Sequence, residues 1–287
     1  MSFSEKRIDV SFAMANGEFA GGGNQHSVSG LRVMCHITVT GGPTQSQMEM
    51  AIFGLPLSVM NQLSTVGTDY ARQYKNGVTV TAGDDDSGMA LVFDGVIYSA
   101  YVDGQAQPQM SLRVAAMPGS FHMVQPAEPI SLSGPQDAAG IMGQLAGQMG
   151  LAFENAGVDA KIVNPYYGGT PWSQMLAVAR AGGFNVVVDR GKMTIIPPDK
   201  TRSGGAYLVS PETGMVGYPG FNQNNVLVYA LFNPAVQFGG EIEVRSQLTS
   251  ANGLWKVNRL EYELEAQVPG GKWFMLMEGV QIGPTPA

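Results

Sequence analysis

The stretch LRVMCHITVT, residues 31–40, decides how the chain is read. Leu31, Val33, Cys35, Ile37 and Val39 fall on one side of an extended segment, and Arg32, Met34, His36, Thr38 and Thr40 on the other. Unbroken alternation predicts a strand with one buried face. A helix would instead repeat its apolar residues every three or four positions. The same period recurs at Ile8, Val10 and Phe12, at Met48, Met50 and Ile52, and at Val78, Val80 and Ala82. Further strands are expected through Leu91 and Phe93, then Val96 to Val102, then Met110, Leu112 and Val114. Asn16-Gly17 and Gly21-Gly22-Gly23 supply turns. One short helix is expected, with Ser58 capping Val59, Met60 and Leu63. Residues 1–125 therefore read as an antiparallel β-barrel or sandwich.

The period changes beyond Pro126-Ala127-Glu128-Pro129. Ser133-Gly134-Pro135-Gln136 has the form of a capping box for a helix burying Ile141, Leu145 and Met149. Thr170-Pro171 opens a second helix that buries Trp172, Met175, Leu176 and Ala179 and stops at Gly182-Gly183. A hairpin follows across Arg190-Gly191, and Pro197-Pro198 closes a small α/β domain at 130–200. Residues 203–287 return to strands, at Val226 to Ala230, Ile242 to Val244, Leu260 to Ala266 and Trp273 to Met277. The expected fold is mainly β: two antiparallel β-barrel domains, 1–125 and 203–287, separated by a helix-and-hairpin insertion. No residue-level repeat relates the two β regions.

Composition narrows the function. Hydrophobic residues are 44% of 287, enough for real cores, whereas charged residues are only 14% against about 25% in ordinary domains. The 38 glycines follow no three-residue period, which excludes collagen and favours turns. A net charge of −7 with 16 basic residues gives no basic stripe for a dedicated nucleic-acid binder. One cysteine excludes a disulfide framework and any multi-cysteine metal site. No run of about 18 apolar residues occurs, so no membrane helix is expected, and Asp9 interrupts any secretion signal.

The candidate chemistry is sparse. Cys35 and His36 are neighbours, but alternation turns them to opposite faces, as a buried thiol and a surface imidazole. His26 and His122 are the other histidines, and no Gly-x-Ser-x-Gly elbow accompanies any of the three. Asp84-Asp85-Asp86 lacks the alternating carboxylates and distal Glu of a calcium loop, and reads as a solvated turn. No catalytic, cofactor or metal residue is assigned. Most of the 17 methionines fill apolar faces, while Met34 and Phe274 fall on the opposite faces and are expected as subunit contacts. Trp172, Trp255 and Trp273 fall in buried patterns, which counts against an aromatic platform for a receptor or carbohydrate.

Taken together, residues 26–67 (HSVSGLRVMCHITVTGGPTQSQMEMAIFGLPLSVMNQLSTVG), 78–114 (VTVTAGDDDSGMALVFDGVIYSAYVDGQAQPQMSLRV) and 231–279 (LFNPAVQFGGEIEVRSQLTSANGLWKVNRLEYELEAQVPGGKWFMLMEG) resemble phage tail baseplate hub proteins. NPYYGGTPWSQMLAVARAGGFNVVVDRGKMTIIPP, residues 164–198, is similar to the small α/β domain of the same hubs. The likeness lies in the order of strand-and-turn patterns, and the lysozyme-like domain that some hubs append has no counterpart here.

The resemblance implies a structural, non-enzymatic virion protein of the tail baseplate, made in the host bacterial cytoplasm. It implies a homotrimeric ring whose two barrels per subunit adapt a six-fold tail tube, or its initiator proteins, to a three-fold central spike. Other baseplate proteins are implied neighbours, DNA is met only in transit, and no cofactor is implied. Glu261, Glu263 and Glu265 share one strand face. They read either as a solvated face or as part of a channel wall that repels DNA phosphates. The alternatives are a hub of a phage-derived injection or secretion machine, a receptor-binding tail module, and a tail-associated hydrolase, which a polar cleft at His36 or His122 would revive.

Overall fold

A computed structural model describes residues 4–19, 22–64, 76–105, 109–222 and 224–282. They gather into two compact units. The first holds the chain up to Ile37, Gln47–Val124 and Tyr262–Trp273, and the second holds Thr38–Ser46, Gln125–Glu261 and the chain from Phe274 onward. The described residues are mostly antiparallel β.

The first unit is built on β1 (Arg7–Ala13), β2 (Gln25–Val28), β3 (Val33–Thr40) as far as Ile37, β4 (Gln47–Phe53), β5 (Gly77–Asp84), β6 (Gly88–Asp103) and β7 (Ser111–Met117), with α1 (Leu57–Leu63) after β4. Their spatial order is β3-β4-β7-β6-β5-β1-β2. The deciding stretch is a strand from Val33 on, and Val33, Cys35, Ile37 and Val39 are buried as their alternation predicts. β6 departs from expectation. Asp94-Gly95 does not divide it, and sixteen residues run as one strand with register shifts at Val80/Thr81 and Ile97/Ser99. A Cβ on Gly95 would lie 2.8 Å from the Phe93 ring and 2.9 Å from the Met117 backbone. The glycine therefore serves a close approach within the sheet rather than a turn. α1 buries Val59, Met60 and Leu63, but Pro56 occupies its cap position and Ser58 lies inside the helix.

The second unit opens with β8 (Ile130–Ser131), β9 (Pro135–Asp137), α2 (Ala138–Gln148), β10 (Ala152–Asn155), β11 (Lys161–Val163), β12 (Tyr166–Tyr167), α3 (Pro171–Gly182), β13 (Asn185–Asp189) and β14 (Lys192–Ile196). The expected capping box at Ser133 is not the helix start. Gln136 does donate back to the Ser133 carbonyl, but from β9 ahead of the helix, and Asp137 caps α2 by accepting from the Ala139 and Gly140 N–H groups. α3 begins as its sequence predicts, with Thr170 and Ser173 in a reciprocal cap, Pro171 at the first position and Gly183 left-handed at φ 68°. Val178 and Gln174 are buried in it, while Leu176 is only half-buried. Arg190 and Gly191, both at positive φ, turn β13 into β14, and β10 joins β14 in parallel.

The chain then forms β15 (Ala206–Val209), β16 (Gly220–Asn222), β17 (Asn225–Leu231), β18 (Glu241–Val244), β19 (Gly253–Ala266) and β20 (Trp273–Gln281). Their order is β16-β17-β20-β19-β18-β15. Numbered along the chain, this is the same arrangement as β3-β4-β7-β6-β5-β1, with β2 set aside. The fifth strand of each set is also the longest, sixteen residues in β6 and fourteen in β19. One direction differs: β1 runs antiparallel to β5, while β15 runs parallel to β18.

Candidate functional site

The outward face of the first unit is concave. Because strand residues alternate, the positions between the buried ones of β3, β4, β7 and β6 turn to a common side. Met34 and His36 come from β3, Glu49 from β4, Arg113 from β7, and Ser99 and Tyr101 from β6. β19 lies beside β3 and adds Glu263 and Glu265, whose neighbours Tyr262, Leu264 and Ala266 are buried. The open hollow measures ≈ 570 Å³.

Ladder register places the side chains. Arg113 stands opposite Ala51 on one side and Tyr101 on the other, and Ala115 stands between Glu49 and Ser99. Alanine on both tracks leaves the hollow between longer side chains. Arg113 contacts Asp103 at 3.4 Å. Lys272 reaches Glu263 at 3.0 Å, and its backbone N–H donates to Glu265 at 3.0 Å. The Glu263 hydrogen bond raises the Lys272 ammonium above its ordinary range. Glu49, Asp103, Glu263 and Glu265 thus set four carboxylates against two cations.

The predicted site residues separate here. Met34, Glu263 and Glu265 share the concave face, whereas Glu261 pairs with Arg259 at 2.5 Å and belongs to the second unit. Phe274 is half-buried, its ring 5.2 Å from that of Tyr229. Glu49, Arg113 and Tyr101 belong to the face and were not singled out from sequence. Their only signal was an outward place in the alternation.

The polar cleft that would revive hydrolysis does hold His36. Cys35 nevertheless points into the core, where burial pushes its thiol up to about 12. Glu263 and Glu265 are engaged by Lys272. Among the described residues no three His, Cys, Asp or Glu side chains gather as a metal would require.

Asp84 is not a solvated turn residue. It is 6% exposed, pairs with Lys6 and accepts from the Asp86 N–H and from the N–H and hydroxyl of Ser87. Lys6 and Ser87 hold its carboxyl well below the ordinary range. Asp84 therefore locks the β5–β6 hairpin, while the neighbouring Asp85 is exposed and lies 3.3 Å from Arg7. Trp172 and Trp255 are buried and Trp273 half-buried. No described helix is long and apolar enough to cross a membrane.

This architecture is that of phage tail and hub-like proteins. A tail protein from Neisseria meningitidis MC58 is similar with a TM-score of 0.66 at 9% identity, over 96% of this chain and 97% of that one. The 43 kDa tail protein of prophage MuSo2 from Shewanella oneidensis gives 0.62 at 10%, over 95% and 96%. An Escherichia coli component of the type VI secretion system, itself structurally similar to the T4 bacteriophage tail proteins gp27 and gp5, gives 0.54 at 10%, over 90% and 76%. No curated protein matches the sequence significantly. Residues 7–274 match the baseplate hub gp41 family, and the chain belongs to it. Its role is accordingly that of a structural hub in the virion tail baseplate.

Proposed function

We propose that three copies of the chain close into a ring in which two look-alike β regions alternate. The ring presents six similar surfaces to a six-fold tail tube, or to tube initiator proteins, and a three-fold face to a central spike and other baseplate proteins. The carrying observation is the shared strand order of β1–β7 (without β2) and β15–β20. Three subunits fill six docking positions only by each offering two similar surfaces, and closed symmetry leaves no surface to propagate. The three segments 1–125, 130–200 and 203–287 would then be barrel, accessory domain and barrel. Their sparse charge suits subunit burial, with Phe274 among the candidate contacts, whereas Met34 shares the concave face and is not among them.

The concave face of the first unit is the proposed channel wall. Its carboxylates would repel DNA phosphates and keep DNA from sticking in transit, without any enzymatic step. A density map of the tail tip tests both ideas. A ring without three-fold order, or β regions that superpose no better than unrelated β domains, would overturn the adaptor. Carboxylates on the outer rim would remove the channel wall.

A biochemical result is also expected. The triple variant Glu49→Lys, Glu263→Lys and Glu265→Lys should retain duplex DNA at low salt where the wild type does not. Three phosphate contacts imply roughly a 40-fold loss of binding between about 50 and 200 mM salt. Salt-independent binding, or none, would sink the wall assignment.

A second reading is a hub of an injection or secretion machine, favoured by the likeness to the type VI component. Tails in infected-cell lysates that contain the chain would decide for the virion. Hydrolysis of peptidoglycan by the pure protein, abolished by His36→Ala, would overturn the non-enzymatic assignment.

A further inference from the structure

We propose that the hollow around Arg32, at one end of the first sheet, takes a carboxylate flanked by apolar side chains from a neighbouring tail protein. The inference stands on the baseplate role alone and needs neither the ring nor the channel wall. Arg32 precedes β3, Phe53 ends β4, Leu57 and Met60 belong to α1, and Met110 precedes β7. These residues line an open hollow of ≈ 360 Å³ that shares no lining residue with the concave face. Met60 is buried, whereas Leu57 is 54% exposed.

Arg32 is the one charge on this hollow, and none of the described residues lining it is acidic. Its guanidinium lies over the Phe53 ring, 4.5 Å from the centroid, which fixes its position. Its Nη1 donates to a neutral amide, the exposed Gln109, at 3.3 Å, longer than usual for such a bond. Its Nε is buried and has no acceptor. The other described cations of the first unit are matched: Lys6 has Asp84, Arg7 has Asp85, Arg113 has Asp103 and Lys272 has Glu263. Among them Arg32 alone lacks a carboxylate, in a chain whose net charge is −7.

A guanidinium carries five donors and keeps its charge throughout the physiological range. Stacked on a ring and short of acceptors, it favours a carboxylate, which it can hold by two parallel hydrogen bonds. The apolar walls set the rest of the ligand, since arginine and aromatic groups in desolvated pockets are common anchors of protein interfaces. Nucleic acid fits less well, because a run of phosphates calls for several cations and the hollow offers one.

Leu57 allows a test of charge sign at a fixed position. Leu57→Glu sets a carboxylate on the hollow from within the chain and so competes for Arg32, whereas Leu57→Lys sets a second cation there. Pure protein is added to extracts of cells infected by a phage lacking this gene, and its incorporation into tails is followed. Leu57→Glu should raise the concentration needed at least about 30-fold, the loss expected of a desolvated, hydrogen-bonded charge pair. Its thermal unfolding midpoint should stay at or above the wild-type value. Leu57→Lys should remain within about fivefold of the wild type, as an exposed charge does. Equal loss in both variants, or in neither, overturns the proposal.

In tails assembled with Arg32→Lys, a carbodiimide should join position 32 to an Asp or Glu of another tail protein. This measurement decides alone if Leu57→Glu melts below the wild type. A link within the chain, a link to a second copy, or no link overturns the assignment. Retention of the wild-type protein on duplex DNA, abolished by Leu57→Glu, would give the hollow to phosphate and overturn it as well.

Discussion

Gly83→Ala is expected to lower the unfolding free energy by about 3 kcal/mol, the upper part of the range for overpacking. Gly83 lies in β5 opposite Met89. A Cβ there would stand 1.9 Å from the Gly88 carbonyl oxygen, 2.8 Å from the Gly88 carbonyl carbon and 3.0 Å from the Met89 Cα. These are backbone atoms, so no side-chain rotation relieves the overlap. The hairpin must part at the end that Asp84 locks, putting its hydrogen bonds to Ser87 and its pairing with Lys6 at risk. Gly147 supplies the control, because it is exposed near the end of α2 and a Cβ there meets nothing within 4 Å. Gly147→Ala should raise stability by up to about 1 kcal/mol, as expected for a helical glycine. Urea melts of the three proteins would read both effects as shifts of midpoint at constant slope. A Gly83→Ala protein that melts with the wild type would mean that β5 and β6 do not approach so closely.

Arg202→Met should cost about 2–3 kcal/mol at neutral pH, below the largest buried-pair losses because Glu154 keeps some solvent. The Arg202 side chain is 10% exposed and holds Glu154 with two hydrogen bonds, of 3.0 and 2.6 Å. Lys192 reaches the same carboxylate at 3.1 Å. The Arg202 bonds are the main reason that the Glu154 carboxyl lies below its ordinary range, with burial opposing them and Lys192 assisting. A carboxyl with a depressed folded pKa stabilises fully above its unfolded value, near about 4.3, and loses that stabilisation as pH falls through the folded one. The wild-type and Arg202→Met curves should therefore converge at acid pH and separate toward neutrality. Asp189 has the opposite sign, since burial raises its carboxyl and Arg190 and Arg202 only partly oppose that. Removing Arg202 raises Asp189 further and widens the same neutral-pH gap. Denaturant midpoints measured from about pH 3 to pH 7 would check this. A gap that stays constant with pH would mean that Arg202 acts through packing alone.

Local chemistry explains which parts of the fold were legible. Both ends of α3 are written in adjacent residues, Thr170, Pro171 and Ser173 at one end and Gly183 at the other. At α2 two polar residues competed for the cap, and Asp137 took it while Ser133 lies ahead of β9, its carbonyl accepting from Gln136. β10 left no alternating pattern because Ala152, Phe153 and Asn155 are all exposed, and its strand character comes from its partner β14. Gly95 reads as a turn in isolation, and only the approach of Met117 shows that the glycine keeps β6 continuous. In the concave face, the outward places of Met34, Glu263 and Glu265 could be read from alternation. Their grouping with Glu49, Arg113 and Tyr101 could not, because ladders between distant segments create it.

Two levels of this protein thus have different origins. Period-two alternation was enough for a mainly β fold, because strand burial repeats every two residues whatever the partner strand, while the hub role came from the family that the ordered strand-and-turn patterns resemble. The matching strand orders of the two β regions were invisible, since no residue-level repeat accompanies them. Strand order is set by which edges pair across long separations, and pairing uses backbone groups that nearly every side chain leaves available.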